Sequence, residues 1–261
     1  MLNAKVLLVE DNDVNQLVAS AILEQWAIKP IIARDGKEAI DMWREHKPDI
    51  ILMDCQMPIM DGYTASRHIR EIESAQTRVP IIALTANAMH GDREKCFSAG
   101  MDDYLTKPFK EEDIYKMLHK WLDRAAGTTE QNSANTVSTK AESPFMHKAT
   151  LDNLRQFLNE EKLSLLLARY IDDSANLIQQ LQVALERDNQ AEARRLAHSL
   201  KSTSANVGAL PLSELAKHAE GLARDGELKG IRACLPELGQ CFAQTQMAIE
   251  AIDFMQKRKT G

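Results

Sequence analysis

The sequence predicts two domains of different class, a doubly wound α/β domain with a five-stranded parallel sheet and an all-α four-helix bundle. Three observations predict this. Short apolar runs alternate with amphipathic stretches up to about residue 124, a polar segment follows, and beyond it the apolar residues recur with the 3.6-residue period of helices alone. At 261 residues the chain is long enough for two cores.

In the first part the runs Val6-Leu7-Leu8-Val9, Pro30-Ile31-Ile32-Ala33, Ile50-Ile51-Leu52-Met53, Ile81-Ile82-Ala83-Leu84 and Tyr104-Leu105 are strand-length and flanked by polar or turn residues. Continuous apolar runs of this kind suit strands buried on both faces of a parallel sheet. Helical patterns near 13–26, 37–46, 63–74, 88–98 and 110–123 lie between and after them. Strict alternation of strand and helix gives the doubly wound fold.

Residues 127–143 contain Val137 as their sole large aliphatic, so the segment 125–145 is expected to be a flexible linker. The domain limits read as 1–124 and 146–261. In the second domain Leu163, Leu166, Leu167, Tyr170, Ile171, Ser174, Leu177, Ile178 and Leu181 form the stripe of one long helix. Ala193, Leu196, Leu200 and Val207 mark a second, and Leu212, Leu215, Ala219 and Leu222 a third. A fourth runs from about 237 to 257 with Pro236 at its first turn, and a short helix near 150–158 leads the bundle.

Composition removes several function classes. Lys and Arg number 32 against 38 Asp and Glu, so there is no basic surplus for nucleic acid, and no helix-turn-helix pattern follows the first domain. No run reaches the roughly 18 apolar residues of a membrane span, and the first residues lack the form of a signal peptide. Direct membrane insertion by these residues is not expected. Cys55, Cys96, Cys234 and Cys241 show neither CxxC nor metal-ligand spacing, which suits buried thiols and a cytoplasmic location.

Ligands of an open parallel sheet bind beyond the carboxyl ends of its strands, where strand order reverses. Polar residues stand at those ends: Glu10 and Asp11 after the first strand, Asp54 after the third, Thr85 after the fourth, Lys107 after the fifth. Clustered carboxylates repel unless a cation shares the site, and a few hard oxygen ligands suit Mg²⁺. A carboxylate nucleophile, a divalent cation, an ammonium and a hydroxyl are the parts that phosphoryl transfer needs. Asp54 is the candidate nucleophile.

Val9-Glu10-Asp11-Asn12, Met53-Asp54-Cys55-Gln56-Met57-Pro58-Ile59-Met60-Asp61-Gly62, Leu84-Thr85-Ala86 and Lys107-Pro108-Phe109 resemble the response-regulator receiver family over residues 4–124. The resemblance implies a flavodoxin-like sheet and phosphorylation of Asp54. It also implies Mg²⁺, with Mn²⁺ able to substitute, on Asp11, Asp54 and the backbone carbonyl of Gln56, with Glu10 acting through water. Lys107 would contact the phosphoryl group, Thr85 would move to hydrogen-bond it, and Tyr104 would reorient. Lys107-Pro108 would be a cis bond.

His198 stands out among seven histidines for its surroundings, Ala197-His198-Ser199-Leu200-Lys201-Ser202. At 100° per residue from Ala193 the apolar stripe centres at roughly 340° and His198 falls at roughly 140°. The imidazole is therefore expected to face away from the core and be exposed, flanked by Arg194, Lys201 and the small Ser202, a surface that a partner and a phosphoryl group could approach. His-x-Leu-Lys at 198–201 with Ala205-Asn206-Val207-Gly208-Ala209 resembles the histidine phosphotransfer (HPt) family over 146–255. That resemblance makes His198 a phosphoacceptor and Lys201 its electrostatic helper, with Ser202 where many members have Gly.

The expected function is two-component phosphorelay: Asp54 receives a phosphoryl group from a histidine kinase phosphodonor domain, and His198 carries it to or from the aspartate of a downstream receiver. Receiver then HPt is the order at the C-terminal end of hybrid sensor histidine kinases, so the chain reads as such a piece, the cytoplasmic portion of a membrane-bound sensor. No ATP-binding kinase core is legible. The alternatives are a free-standing relay protein, a phosphorylation-independent interaction module, or an aspartyl phosphatase, against which Gln56 replaces the second acid of Asp-x-Asp.

Overall fold

The computed structural model describes residues 4–74, 78–85, 90–122 and 145–257. Ala86, most of the linker segment, and the basic residues Arg258 and Lys259 lie outside them. The chain divides into two compact units, residues 1–138 and 139–261.

The first unit runs β1 (Val6–Val9), α1 (Asp13–Glu24), β2 (Ile31–Ala33), α2 (Gly36–His46), β3 (Ile50–Asp54), α3 (Gly62–Ile72), β4 (Ile81–Thr85), α4 (His90–Ser98), β5 (Asp103–Thr106) and α5 (Glu111–Leu122). The sheet order is β2-β1-β3-β4-β5 with every pair parallel. Strands β1, β3 and β4 are buried along their whole length, as their unbroken aliphatic runs require. Strand order reverses between β1 and β3. Register then does the positioning: Val9 pairs with Met53 and Asp54 with Leu84, which brings the residue after β1 level with the last residue of β3.

Short side chains start the helices. Asn12 caps α1, accepting from the backbone N–H groups of Val14 and Asn15 at 3.0 Å each. Asp61 caps α3 through Thr64 N–H at 2.7 Å. Cys55, Cys96 and Cys241 are buried free thiols and Cys234 is half-buried.

The second unit is helical throughout its described residues: α6 (Lys148–Phe157), α7 (Glu160–Glu186), α8 (Gln190–Val207), α9 (Leu210–Arg224) and α10 (Leu228–Lys257). Gly208, at φ +87°, ends α8 in the left-handed conformation that glycine adopts without strain. The Tyr170 hydroxyl lies 3.1 Å from Ser204 Oγ in the bundle core. The last helix departs from the sequence reading, since it begins at Leu228 and carries Pro236 inside it. The missing N–H is tolerated because tertiary contacts hold the preceding turn. Ile231 and Leu238 are fully buried on either side, and the Arg232 guanidinium donates to Leu185 O and to Asp188 at the end of α7. No described helix is long and apolar enough to cross a membrane.

Candidate phosphoryl-transfer sites

At the carboxyl edge of the sheet, Glu10, Asp54, Thr85 and Lys107 are buried and Asp11 and Gln56 half-buried. Lys107 Nζ donates to Glu10 Oε2 at 2.5 Å and to Asp54 Oδ2 at 2.6 Å. The Lys107–Pro108 peptide is cis, and Lys107 N–H donates to Thr85 O at 2.7 Å. Asp54 Oδ1 accepts from Gln56 N–H at 3.1 Å. Tyr104 is half-buried on β5, with the Arg93 guanidinium 5.7 Å from its ring centre.

Glu10 and Asp54 share one ammonium here with Asp11 close by, and the electrostatics follow. Burial, with the Asp54 charge, pushes the Glu10 carboxyl up to about 8. Burial works against the Lys107 charge, but Asp54 and Glu10 overcome it and hold the amine above its ordinary range. Carboxylate oxygens of Glu10, Asp11 and Asp54 lie within 4.8 Å of one another, so this group can hold a metal ion. The all-oxygen donor set fits a hard divalent cation.

Gly62 fixes the loop beyond Asp54. A methyl group on it would lie 2.0 Å from the Asp54 carbonyl oxygen. The first turn of α3 thus packs directly on the backbone of the candidate nucleophile.

In the second unit His198 is not exposed. It retains 6% of its accessible surface, and Lys201 and Ser202 are buried with it. The helical-wheel reading used only the apolar stripe of α8, whereas α8 is contacted by α6, α7 and α9. The row Ala216, Ala219 and Ala223 on α9 is fully buried, and small residues let helix axes approach closely. Glu220 then meets the polar side of α8, where His198 Nδ1–H donates to Oε1 at 2.8 Å and Lys201 Nζ to Oε2 at 2.5 Å. Burial alone would raise the Glu220 carboxyl; the His198 and Lys201 interactions instead hold it down at about 2. His198 Nε2 has no hydrogen-bond partner among the described residues. Arg194, one turn earlier, is half-buried.

Glu220 escaped the sequence reading because nothing local marks it. One signal existed: α8 and α9 form a helical hairpin around Gly208-Ala209, and His198 and Glu220 stand nearly equidistant from that turn. Asn15, whose Nδ2–H donates to Glu10 Oε1 at 2.9 Å, was missed likewise.

The model of the response regulator receiver domain matches residues 6–119 and that of the Hpt domain matches residues 165–248. The sensor histidine kinase GacS of Pseudomonas protegens is 29% identical over 260 residues, covering 95% of this chain and 27% of that protein. Hybrid signal transduction histidine kinase I of Dictyostelium discoideum is 41% identical over 150 residues, covering 53% of this chain and 9% of that protein. The chain therefore spans about a quarter or less of these curated relatives. Among solved structures, the receiver domain of sensor histidine kinase PA1611 from Pseudomonas aeruginosa PAO1, with a magnesium ion coordinated in its active site cleft, is 49% identical. That match covers 46% of this chain and 97% of that one, with a TM-score of 0.43. Residues 6–119 belong to the response regulator receiver family and residues 165–248 to the Hpt family, the two domain types of a two-component phosphorelay.

Proposed function

We propose that the chain is a phosphorelay intermediary in which Asp54 and His198 are the two phosphoacceptors. The observation that carries this reading is the Lys107 ammonium shared between Asp54 and Glu10 beside a carboxylate group able to hold a cation. A carboxylate held in that setting is placed to attack phosphorus.

In the first transfer an Asp54 oxygen bonds to phosphorus as the N–P bond of a partner's phosphohistidine breaks. The donor imidazole leaves with that electron pair. Lys107 meets the developing charge on the phosphoryl oxygens, Thr85 donates its hydroxyl to them, and Tyr104 follows inward. Asp11, Asp54 and the Gln56 carbonyl, with Glu10 through water, would hold Mg²⁺ or Mn²⁺, which would supply charge neutralisation.

In the second transfer His198 Nε2 attacks and the acyl phosphate O–P bond breaks, returning a carboxylate. Donation of Nδ1–H to Glu220 holds the tautomer whose Nε2 carries the free lone pair. As the ring becomes cationic the Glu220 carboxylate balances it, and Lys201, with Arg194 nearby, attracts the incoming phosphoryl group. The donor to Asp54 is a histidine kinase domain and the acceptor from His198 a downstream receiver. The chain acts as the C-terminal part of a cytoplasmic hybrid-kinase portion, and its two sites exchange phosphate within one chain.

The test uses acetyl phosphate and Mg²⁺ on the intact chain. A base-labile phosphoryl group lost in Asp54→Asn is expected, together with an acid-labile one lost in His198→Gln. Undiminished labelling in excess chelator would overturn the metal assignment. On dilution the intact chain keeps its exchange rate, while a mixture of the two variants slows in proportion; equal slowing would refute exchange within one chain.

A further inference from the structure

Glu10 is gripped from both ends by helix α1. Its Oε2 accepts from Lys107, while Oε1 accepts from Asn15 Nδ2–H at 2.9 Å and, more distantly, from Asn12 N–H at 3.4 Å. Its backbone carbonyl accepts from Gln16 Nε2–H at 2.6 Å. Asn15 is 1% exposed and Gln16 8%, between the apolar Val14 and Val18 of the same helix. Burying an amide costs free energy unless it is hydrogen-bonded, so two adjacent amides here are a poor choice for packing alone. Both reach the same residue.

A glutamate has one more rotatable bond than an aspartate, and ordering it costs side-chain entropy. Left untethered, its carboxylate could turn and carry the Lys107 ammonium away from Asp54. With Oε1 held by Asn15, Oε2 is left facing Lys107. The buried chain Asn15–Glu10–Lys107–Asp54 is continuous, each link between 2.5 and 2.9 Å.

We propose that Asn15 is a positioning residue that orients Glu10 for the cation site and for Lys107. The inference rests on the relay reading of the receiver site. It assigns to α1, an element with no residue at the strand ends, control over the geometry around the nucleophile.

The measurement is Mg²⁺ affinity of the full chain by titration calorimetry. Asn15→Leu keeps the side-chain size and removes the amide, and should weaken Mg²⁺ binding about 10- to 100-fold, the usual effect of losing a partner of a metal ligand. Asn15→Ala, a strong helix former, should show the same loss and serves if the leucine variant fails to fold. In a Glu10→Ala background Asn15→Leu should cause no further loss, because the residue it positions is gone. An unchanged affinity in folded Asn15 variants would overturn the proposal. So would equal losses with and without Glu10, the sign of a general effect on α1. Failure of the relay reading shows separately, as a parent chain that binds Mg²⁺ but takes no phosphate from acetyl phosphate.

Discussion

Gly62→Ala should cripple Asp54 without touching any charged group. The added methyl would lie 2.0 Å from the Asp54 carbonyl oxygen, 2.9 Å from Met53 Cγ and 3.0 Å from the Asp54 carbonyl carbon, where ordinary contacts begin at 3.4 Å. The nearest of these atoms is backbone, held by β-sheet pairing to β1 and β4, so no side-chain rotation relieves the clash. Relief requires α3 and the end of β3 to part by roughly 1.4 Å. Overpacking of this kind costs about 1–3 kcal/mol, which lowers the melting temperature of the receiver unit by about 5–15 °C. A displacement near 1 Å at a reacting group costs on the order of a hundredfold in rate. Acetyl phosphate labelling followed by thermal melts reads both effects. Gly221→Ala is the control: nothing lies within 4 Å of its added methyl inside α9, so it should gain roughly 0.5–1 kcal/mol and leave Asp54 labelling unchanged. A Gly62→Ala chain with parental labelling rate and melting temperature would refute the reasoning.

Other expectations follow from the buried ion pairs. Glu10 sits at about 8 against an ordinary 4.5, chiefly through burial and then Asp54. Its contribution to stability without metal is full below 4.5 and is lost as pH rises through 8. Mg²⁺ competes with that same proton, so its affinity should climb by up to about tenfold per pH unit across this window and level off above it; calorimetry in buffers of different ionisation enthalpy checks this, and a flat profile refutes it. Lys201→Ala, which a solvated lysine would tolerate, should instead destabilise the bundle by about 1–3 kcal/mol, since it strips the half-buried Glu220 carboxylate of an ammonium partner. Glu220→Gln should keep the fold and slow phosphorylation of His198, measured as acid-labile phosphate; a parental rate would remove Glu220 from the mechanism. Arg70→Met should unfold the receiver unit earlier, by about 1–3 kcal/mol in denaturant titration, because the Glu73 and Asp102 carboxylates are left to the more exposed Arg78.

What could be read from the sequence divides along a physical line. The strands were legible because burial on both faces demands unbroken aliphatic runs, and Val6–Val9 and Ile50–Asp54 have them. The convergence of Glu10, Asp11, Asp54, Thr85 and Lys107 was legible because a parallel sheet collects strand ends on one edge. Asn15, Glu220 and the burial of His198 were not, since each depends on which face one helix turns toward another. Pro236 misled for a related reason: local chemistry placed a helix start there, and contacts to α7 and the buried Ile231 and Leu238 override it.

The two candidate sites share one unit with its polarity reversed. Each contains a carboxylate–ammonium pair at 2.5 Å, the buried Glu10 with Lys107 and the half-buried Glu220 with Lys201. In the receiver the proposed nucleophile bonds to the ammonium, Asp54 to Lys107 at 2.6 Å; in the bundle it bonds to the carboxylate, His198 to Glu220 at 2.8 Å. Charge conservation on each nucleophile gives this arrangement its sense under the proposed relay. A carboxylate is anionic before attack and neutral as an ester-like acyl group after it, so its cation is released to follow charge onto the phosphoryl oxygens. An imidazole is neutral before attack and cationic as it forms the N–P bond, so it needs an anion already in place. Exchanging the partners would oppose both steps: an ammonium on His198 Nδ1 would penalise the developing cation, and a carboxylate on Asp54 would repel both nucleophile and phosphate. The same pair, attached by opposite ends, suits each site to its own half of the proposed transfer.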